Sequence, residues 1–194
     1  PRPDTEILVE AAIERLGRLA ENGRKPLRFA DIGTGTGAIA LSVLKYASED
    51  VAADAVDISD AALAVARENA ERLGLSACVH FHEGDLLAPL SHAAYDAILS
   101  NPPYIPDADF ERLAPEVRSY EPMTALKGGV DGMDFYARLV EAAPQYLRAG
   151  GFLAVEAGIG QAQKIRALAK EPWGDVEILP DLAGIERVVV LWRK

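Results

Sequence analysis

The sequence predicts an α/β fold in which a mostly parallel sheet carries helices on both faces. Strand and helix signals alternate along the chain, which is typical of parallel strands joined by crossover helices. A glycine-rich turn at 33–37 separates an apolar run from a helical stretch, and a later apolar run at 97–100 ends directly before Asn101. That strand is expected to deliver Asn101 to the carboxyl edge of the sheet, where α/β enzymes place their chemistry.

The first half of the chain contains three predicted helices and three predicted strands. The helix at 7–20 is amphipathic, and the helix at 60–73 has a capping residue at its start, Ser59 or Asp60, and Gly74 at its end. In chain order the predicted elements are a helix at 7–20, a strand at 27–32, a helix at 38–44, a strand ending at 55–56, a helix at 60–73 and a strand at 79–82.

The second half begins with a strand at 97–100 and a long segment, from 101 to about 132, that contains five prolines and a short helical piece at 109–113. Segments of that length in a compact domain are usually functional. The remaining predicted elements are a helix at 135–147, a strand at 152–156, a helix at 161–169, and strands at 176–179 and 188–192 that form an antiparallel pair.

Composition limits the possible functions. The 194 residues are 49% hydrophobic and 26% charged, which predicts one well-filled domain without room for a second large one. Lys and Arg number 20 against 30 Asp and Glu, a formal charge of −10, and the basic residues form no cluster with aromatics. A general nucleic-acid surface is therefore not expected, whereas a cationic ligand and a basic protein partner are favoured.

The cysteine and histidine content predicts neither a disulfide nor a metal site. Cys78 is the single cysteine, and it is interpreted as a core or edge residue of a strand. His80 and His82 face the same side of a strand, but neither they nor His92 have an acidic partner at metal-binding spacing. The sequence has no membrane-spanning stretch and no signal peptide, so a reducing cytoplasm is the expected setting.

The segment Asn101-Pro102-Pro103-Tyr104 is interpreted as a receptor for a flat nitrogen group. Two consecutive prolines restrict the backbone, so the Asn101 side-chain oxygen and the Pro102 carbonyl are held in place as hydrogen-bond acceptors. An amide or amino group is expected to donate both protons to these oxygens, with the Tyr104 ring over its planar face. The alternative is a rigid turn between a strand and a loop.

A second motif, Asp31 followed by glycines at 33, 35 and 37, joins a strand to a helix. Its Gly-x-Gly-x-Gly spacing differs from the Gly-x-Gly-x-x-Gly of dinucleotide-binding turns, so a dinucleotide is not expected. Asp57 ends the next strand, where a carboxylate can accept hydrogen bonds from both hydroxyls of a ribose. The alternative is a structural glycine turn with a solvated aspartate.

These motifs carry a family resemblance. The chain resembles the S-adenosylmethionine-dependent methyltransferases of the seven-strand type, and among them the release-factor glutamine N5-methyltransferases of the HemK/PrmC family. Asn-Pro-Pro-Tyr is shared with enzymes that methylate the amino group of adenine, whereas the first and last matching segments are more specific to the glutamine branch. The matching segments are 1–6, 31–37, Asp57, 84–86, 101–104, 121–122 and 183–188.

The resemblance implies a Rossmann-like class I fold with an antiparallel last strand, and transfer of a methyl group by direct displacement that yields S-adenosylhomocysteine. It implies catalytic roles for Asn101, Pro102 and Tyr104, with Pro103 joining them in substrate binding, and possible roles for Thr5 and Glu6. The implied cofactor-binding residues are Asp31, Gly33, Thr34, Gly35, Thr36, Gly37, Asp57, Ile58, Asp85, Leu86 and Asn101.

Some assignments stay open. Asp85 either binds adenine or caps the turn at 86–87. For Arg187, a structural salt bridge explains the residue as well as a functional role does. Arg118, Tyr120 and Glu121 are candidate contacts to a protein substrate. Family members usually carry a helical domain before the first matching motif, so the chain is either a fragment or docks its partner without that domain.

Three functions follow. The favoured one is methylation of the glutamine in the Gly-Gly-Gln motif of peptide chain release factors, by a monomer. The second is methylation of the adenine amino group in DNA or RNA, which the acidic composition disfavours. The third is a cofactor-binding module without catalysis, which the intact Asn101 to Tyr104 segment argues against.

Overall fold

The computed structural model describes residues 3–47, 50–92, 95–112 and 126–194, and these contain a seven-stranded sheet. The strands are β1 (Leu27–Ile32), β2 (Val51–Asp57), β3 (Val79–Glu83), β4 (Tyr95–Ser100), β5 (Leu147–Glu156), β6 (Trp173–Pro180) and β7 (Glu186–Arg193). The helices are α1 (Pro3–Glu21), α2 (Ala38–Tyr46), α3 (Asp60–Leu73), α4 (Asp134–Ala142) and α5 (Ala162–Leu168), with 3₁₀ turns at Asp107–Arg112 and Ala143–Gln145.

The strand order is β3-β2-β1-β4-β5-β7-β6. β7 is antiparallel to both of its neighbours, and the other pairs are parallel. This confirms the predicted, mostly parallel sheet and its antiparallel last strands. The order reverses direction between β1 and β4, and such a switch point leaves a crevice at the carboxyl ends of the two strands.

The helices cover both faces of the sheet. Successive strand residues point to opposite faces, so Phe29 packs in the layer with α1, α2 and α3, while Ala30 and Ile32 pack in the layer with α4 and α5. Both layers are built from fully buried aliphatic and aromatic side chains. The sheet is therefore rigid where its carboxyl edge must hold functional groups.

Buried carboxylates with basic partners occupy the part of the sheet away from that edge. Asp54 in β2 binds the Arg28 guanidinium at 2.6 Å and His82 Nε2 at 2.6 Å. Asp96, at the start of β4, binds the Arg28 backbone N–H at 2.8 Å and Arg148 at 3.0 Å. His82 Nε2 thus has a carboxylate partner, and among the described residues no cluster of His, Cys, Asp and Glu is large enough to hold a metal ion.

Several predicted boundaries were wrong, and the two largest errors lie on either side of Pro144. The helix expected at 135–147 ends at Ala142, because Pro144 has no backbone N–H to continue the helix and the chain tightens into a 3₁₀ turn. β5 then begins at Leu147, earlier than the predicted 152, and runs through Gly150 and Gly151.

In the part of the chain that the structure describes, no helix is both long and apolar enough to span a bilayer.

Candidate active site

Two cavities meet at the carboxyl edge of β1 and β4, at the switch point of the sheet. The smaller has a volume of about 380 Å³ and extends toward Thr5 and Tyr104. The larger, of about 630 Å³, extends toward Asp57 and Leu86. They share five lining residues, which belong to the glycine turn and to the segment after β4: Gly33, Gly35, Asn101, Pro102 and Pro103.

The glycine turn is shaped by hydrogen bonds to the neighbouring strand. The N–H groups of Gly33 and Thr34 both donate to the Val56 carbonyl, at 2.8 and 2.9 Å. Gly33 and Gly35 have φ values of 71° and 56°, and a Cβ atom on either would project into open space. Because both residues line the cavities, the turn brings bare backbone to a ligand.

Gly37 has a different role from the two glycines before it. Its φ is 81°, and a Cβ atom there would lie 3.0 Å from Leu41 Cδ1 and 3.3 Å from Ala66 Cβ. This position therefore requires glycine for close packing of α2 and α3 as well as for its backbone conformation.

Asp31 lies beneath the turn and outside the lining of both cavities. Its Oδ2 accepts hydrogen bonds from Thr34 Oγ1 at 2.7 Å and from the Ala40 N–H at 3.0 Å. Burial raises its pKa from 3.8 to about 6. The structure thus shows Asp31 supporting the turn and the start of α2, whereas Thr34 and Thr36 line the smaller cavity.

Asp57 ends β2 at the rim of the larger cavity. Its two carboxylate oxygens accept backbone hydrogen bonds from Gly35, at 2.8 Å, and from Ser59, at 2.9 Å. Each oxygen keeps a second lone pair, so the partly exposed carboxylate can still accept bonds from a ligand. Ile58, which is 67% exposed, and Leu86 add apolar surface to this cavity.

Asp85 forms an ion pair with Arg138 of α4, and both side chains are half-exposed and line the larger cavity. Neither of the two roles expected for the Asp85 side chain anticipated this partner. Lys127 lines the same cavity, with its Nζ 4.9 Å from the centre of the Phe110 ring.

Asn101 lies between the two cavities, with its side-chain nitrogen bound to the protein. Nδ2 donates to Glu156 Oε2 at 2.8 Å and to Thr5 Oγ1 at 3.2 Å. Thr5 Oγ1 in turn donates to Glu156 Oε2 at 2.7 Å. No described residue donates to Asn101 Oδ1 or to the Pro102 carbonyl, so both acceptors are available to a ligand.

Gln161, at the start of α5, anchors the segment that follows Asn101. Its Nε2 donates to the carbonyls of Tyr104, at 3.0 Å, and Gly132, at 3.3 Å. Its Oε1 accepts the Gly158 N–H at 3.1 Å. The Tyr104 backbone is thereby held while its side chain lines the smaller cavity.

Sequence reasoning missed Glu156 and Gln161. Glu156 ends an apolar strand, as Asp57 does, and this shared position is the signal that could have identified it. Of the two residues given possible roles, Thr5 reaches the smaller cavity, whereas Glu6 lines a separate groove between α1 and α2. Arg118, Tyr120 and Glu121 lie outside the described residues. Arg187 pairs with Asp181 at 3.1 Å, which confirms the salt bridge.

Comparison with known proteins identifies the family. Residues 10–115 match the model of the methyltransferase small domain family. Over its whole length the chain is 46% identical to a release factor glutamine methyltransferase of Moorella thermoacetica, of which it covers 67%. This chain belongs to the release factor glutamine methyltransferase family. A Geobacter sulfurreducens member is also 46% identical, with 97% of this chain and 63% of that protein covered. The chain thus spans about two thirds of the length of these family members.

Solved structures of more distant methyltransferases share the fold. A ribosomal protein L11 methylase from Lactobacillus delbrueckii has a TM-score of 0.66 and 24% identity, covering all of this chain and 80% of that chain. An O-methyltransferase from Thermotoga maritima has a TM-score of 0.63 and 14% identity, covering 100% of this chain and 65% of that chain. At these identities the likeness establishes the class I methyltransferase fold alone.

Proposed function

We propose that this chain transfers a methyl group from S-adenosylmethionine to the side-chain amide nitrogen of the glutamine in the Gly-Gly-Gln motif of peptide chain release factors. The relatives are named release factor glutamine methyltransferases, which supports a glutamine of a release factor as the acceptor. The observation that carries the proposal is the fixed Asn101 side chain, which presents beside an open glycine turn an acceptor oxygen that no described residue binds.

The larger cavity suits the adenosine part of this cofactor. Its glycine turn has room that a Cβ atom would fill, Asp57 has free lone pairs for two ribose hydroxyls, and Ile58 and Leu86 offer apolar surface to adenine. When bound, S-adenosylmethionine supplies a methyl group on a positively charged sulfur. The charged side chains that line this cavity balance, because Asp85 is paired with Arg138 and the charge of Lys127 offsets that of Asp57, so Asp57 is assigned a hydrogen-bonding role rather than a general attraction for the cation.

The smaller cavity suits the acceptor amide. An amide nitrogen is a weak nucleophile because its lone pair is delocalised into the carbonyl, so positioning is the main contribution of the protein. Asn101 Oδ1 and the Pro102 carbonyl can accept the two N–H protons, which raises electron density on nitrogen and offsets the positive charge that develops there. Displacement would leave a positively charged, strongly acidic amide nitrogen that loses one N–H proton to water, so no dedicated general base is needed.

A second candidate is methylation of the adenine amino group, because that group also presents two protons to Asn101 and Pro102. The formal charge of −10 disfavours nucleic acid as the partner, since affinity for its phosphates depends on Lys and Arg. The same charge favours a basic protein substrate. A cofactor-binding module without catalysis would have no need of an acceptor site beside the glycine turn.

The test is transfer of labelled methyl from S-adenosylmethionine to a purified release factor. The matched control is the same factor with its Gly-Gly-Gln glutamine changed to alanine, and DNA and RNA are assayed in parallel. We expect label on the unmodified factor alone. Label on nucleic acid would support the adenine function, and absence of label with cofactor bound would contradict the proposal for this length of chain.

A further inference from the structure

We propose that Glu156 and Thr5 are positioning residues that select the orientation of the Asn101 carboxamide, and thereby make the site specific for a nitrogen acceptor. The inference rests on the proposed function, which places an amide NH₂ at Asn101. It assigns a role to Glu156, which no sequence motif had singled out, and a more definite one to Thr5.

The orientation of Asn101 requires selection because the two ends of a carboxamide are alike in size but opposite in hydrogen bonding. One end accepts through oxygen, and the other donates through NH₂. If the Asn101 amide were flipped, its N–H groups would face those of the incoming glutamine amide. Two donors would then oppose each other in a cavity with no bond between them.

The local hydrogen bonds determine which end faces the cavity. Thr5 Oγ1 donates its single proton to Glu156 Oε2, at 2.7 Å, so toward Asn101 it acts as an acceptor. Glu156 Oε2 accepts from both Thr5 and Asn101. The two acceptors take the two protons of Asn101 Nδ2. A flipped amide would place Oδ1 against the Glu156 oxygen, and Thr5 could donate to it only by giving up its bond to Glu156.

The backbone places these groups together. β4 and β5 are paired with Ser100 opposite Val155, so the next residues, Asn101 and Glu156, meet at the carboxyl edge. The Glu156 side chain is 2% exposed and Thr5 is 6% exposed, so water competes poorly for their hydrogen bonds. Tyr136 Oη donates to the Glu156 carbonyl at 2.8 Å and further fixes this position.

The consequence is discrimination between an amide and a carboxylate at the acceptor position. An oxygen in the cavity favours a glutamine side chain, which donates, over a glutamate side chain, which only accepts when ionised. Loss of the positioning contacts frees Asn101 to turn its NH₂ into the cavity. Binding of a glutamate-containing peptide should then improve relative to the glutamine peptide, an effect that a general loss of stability does not produce.

The experiment uses the full chain with two pairs of matched variants. Thr5→Val and Glu156→Met remove the acceptors with little change of size, whereas Thr5→Ser and Glu156→Gln keep an acceptor oxygen. The affinities for Gly-Gly-Gln and Gly-Gly-Glu peptides are measured by calorimetry with S-adenosylhomocysteine present. Turnover with a release factor and the affinity for S-adenosylmethionine are measured separately.

For Glu156→Met we expect the preference for the glutamine peptide to fall by roughly 10-fold or more, the difference that one unsatisfied hydrogen bond makes. Thr5→Val should show a smaller fall, and its kcat should drop by roughly 3- to 10-fold at unchanged cofactor affinity. Both conservative variants should retain the wild-type preference, and Thr5→Val keeps the test informative if Glu156→Met does not fold.

An unchanged peptide preference in Thr5→Val together with unchanged kcat would overturn the inference. Equal weakening of both peptides, accompanied by a lower melting temperature, would also overturn it by showing a structural role. Failure of the proposed function is distinguishable, because the wild-type chain would then not methylate a release factor and would show no preference for the glutamine peptide at the outset.

Discussion

Replacement of Gly35 by alanine tests whether the glycine turn is a ligand-binding surface or only a tight connection. Gly35 has φ 56°, its N–H donates to Asp57, and it lines both cavities. An added methyl group meets no protein atom within 4 Å. The substitution therefore affects stability only through the backbone, and affects a ligand through the space that the methyl group takes.

The two effects have different sizes. A left-handed conformation costs an L-residue roughly 1–2 kcal/mol, so the free energy of unfolding should fall by about that amount. If the cofactor contacts the turn, an extra methyl group in its binding space should cost about 1–3 kcal/mol more, by analogy with overpacked cores. That corresponds to a rise in Kd of roughly 5- to 150-fold.

Gly23→Ala provides the matched control. Gly23 also has positive φ, 86°, and open space at its Cβ position, but it follows α1 and lines neither cavity. Calorimetry with S-adenosylmethionine and urea denaturation should show both variants destabilised and only Gly35→Ala weakened in binding. Equal affinities in the two variants would refute the placement of the cofactor on the turn.

Three further substitutions are expected to separate chemistry from stability. Asn101→Ala should lower kcat by roughly 10²- to 10³-fold, as loss of one fixed polar group does in other enzymes, while calorimetry shows a much smaller change in cofactor Kd. The pKa of Asp31 rises from 3.8 unfolded to about 6 folded, so its contribution to stability is complete below pH 3.8 and is lost as pH rises through 6. That loss is roughly 3 kcal/mol. When the free energy of unfolding is measured by denaturation between pH 4 and 7, Asp31→Asn should remove this dependence on pH. An unchanged dependence would contradict the raised pKa. Tyr136→Phe removes the donor to the Glu156 carbonyl and should lower the free energy of unfolding by about 1 kcal/mol in urea, and an unchanged value would show that this hydrogen bond adds nothing.

The sequence was most informative about features that depend on residues close together in the chain. The turn at 33–37, the capped helix at 60–73 and Asp57 after its strand follow local rules of backbone conformation and periodicity, and the structure has all three. Alternation of strand and helix signals was sufficient for the sheet, because short crossover connections allow few topologies.

Contacts between distant segments were beyond that reasoning. The partnership of Glu156 with Asn101 depends on the register of β4 and β5, and that of Asp85 with Arg138 depends on where α4 packs. Gln161 bonds carbonyls in two different loops. No local pattern encodes these pairs, since each residue alone reads as an ordinary polar side chain at the end of an element. The role of Asp31 depended likewise on burial.

The hydrogen bond between Thr5 and Glu156 joins residues that are 151 positions apart. The glycine turn and Asp57 need only the first three strands and their helices. Because the chain is synthesised from its amino terminus, this half of the site can assemble early. The acceptor half must wait until β5 has joined the sheet and α1 has packed against it, because Asn101 has no fixed orientation before then. During synthesis, the glycine turn and Asp57 should therefore be in place before Asn101 acquires its fixed orientation.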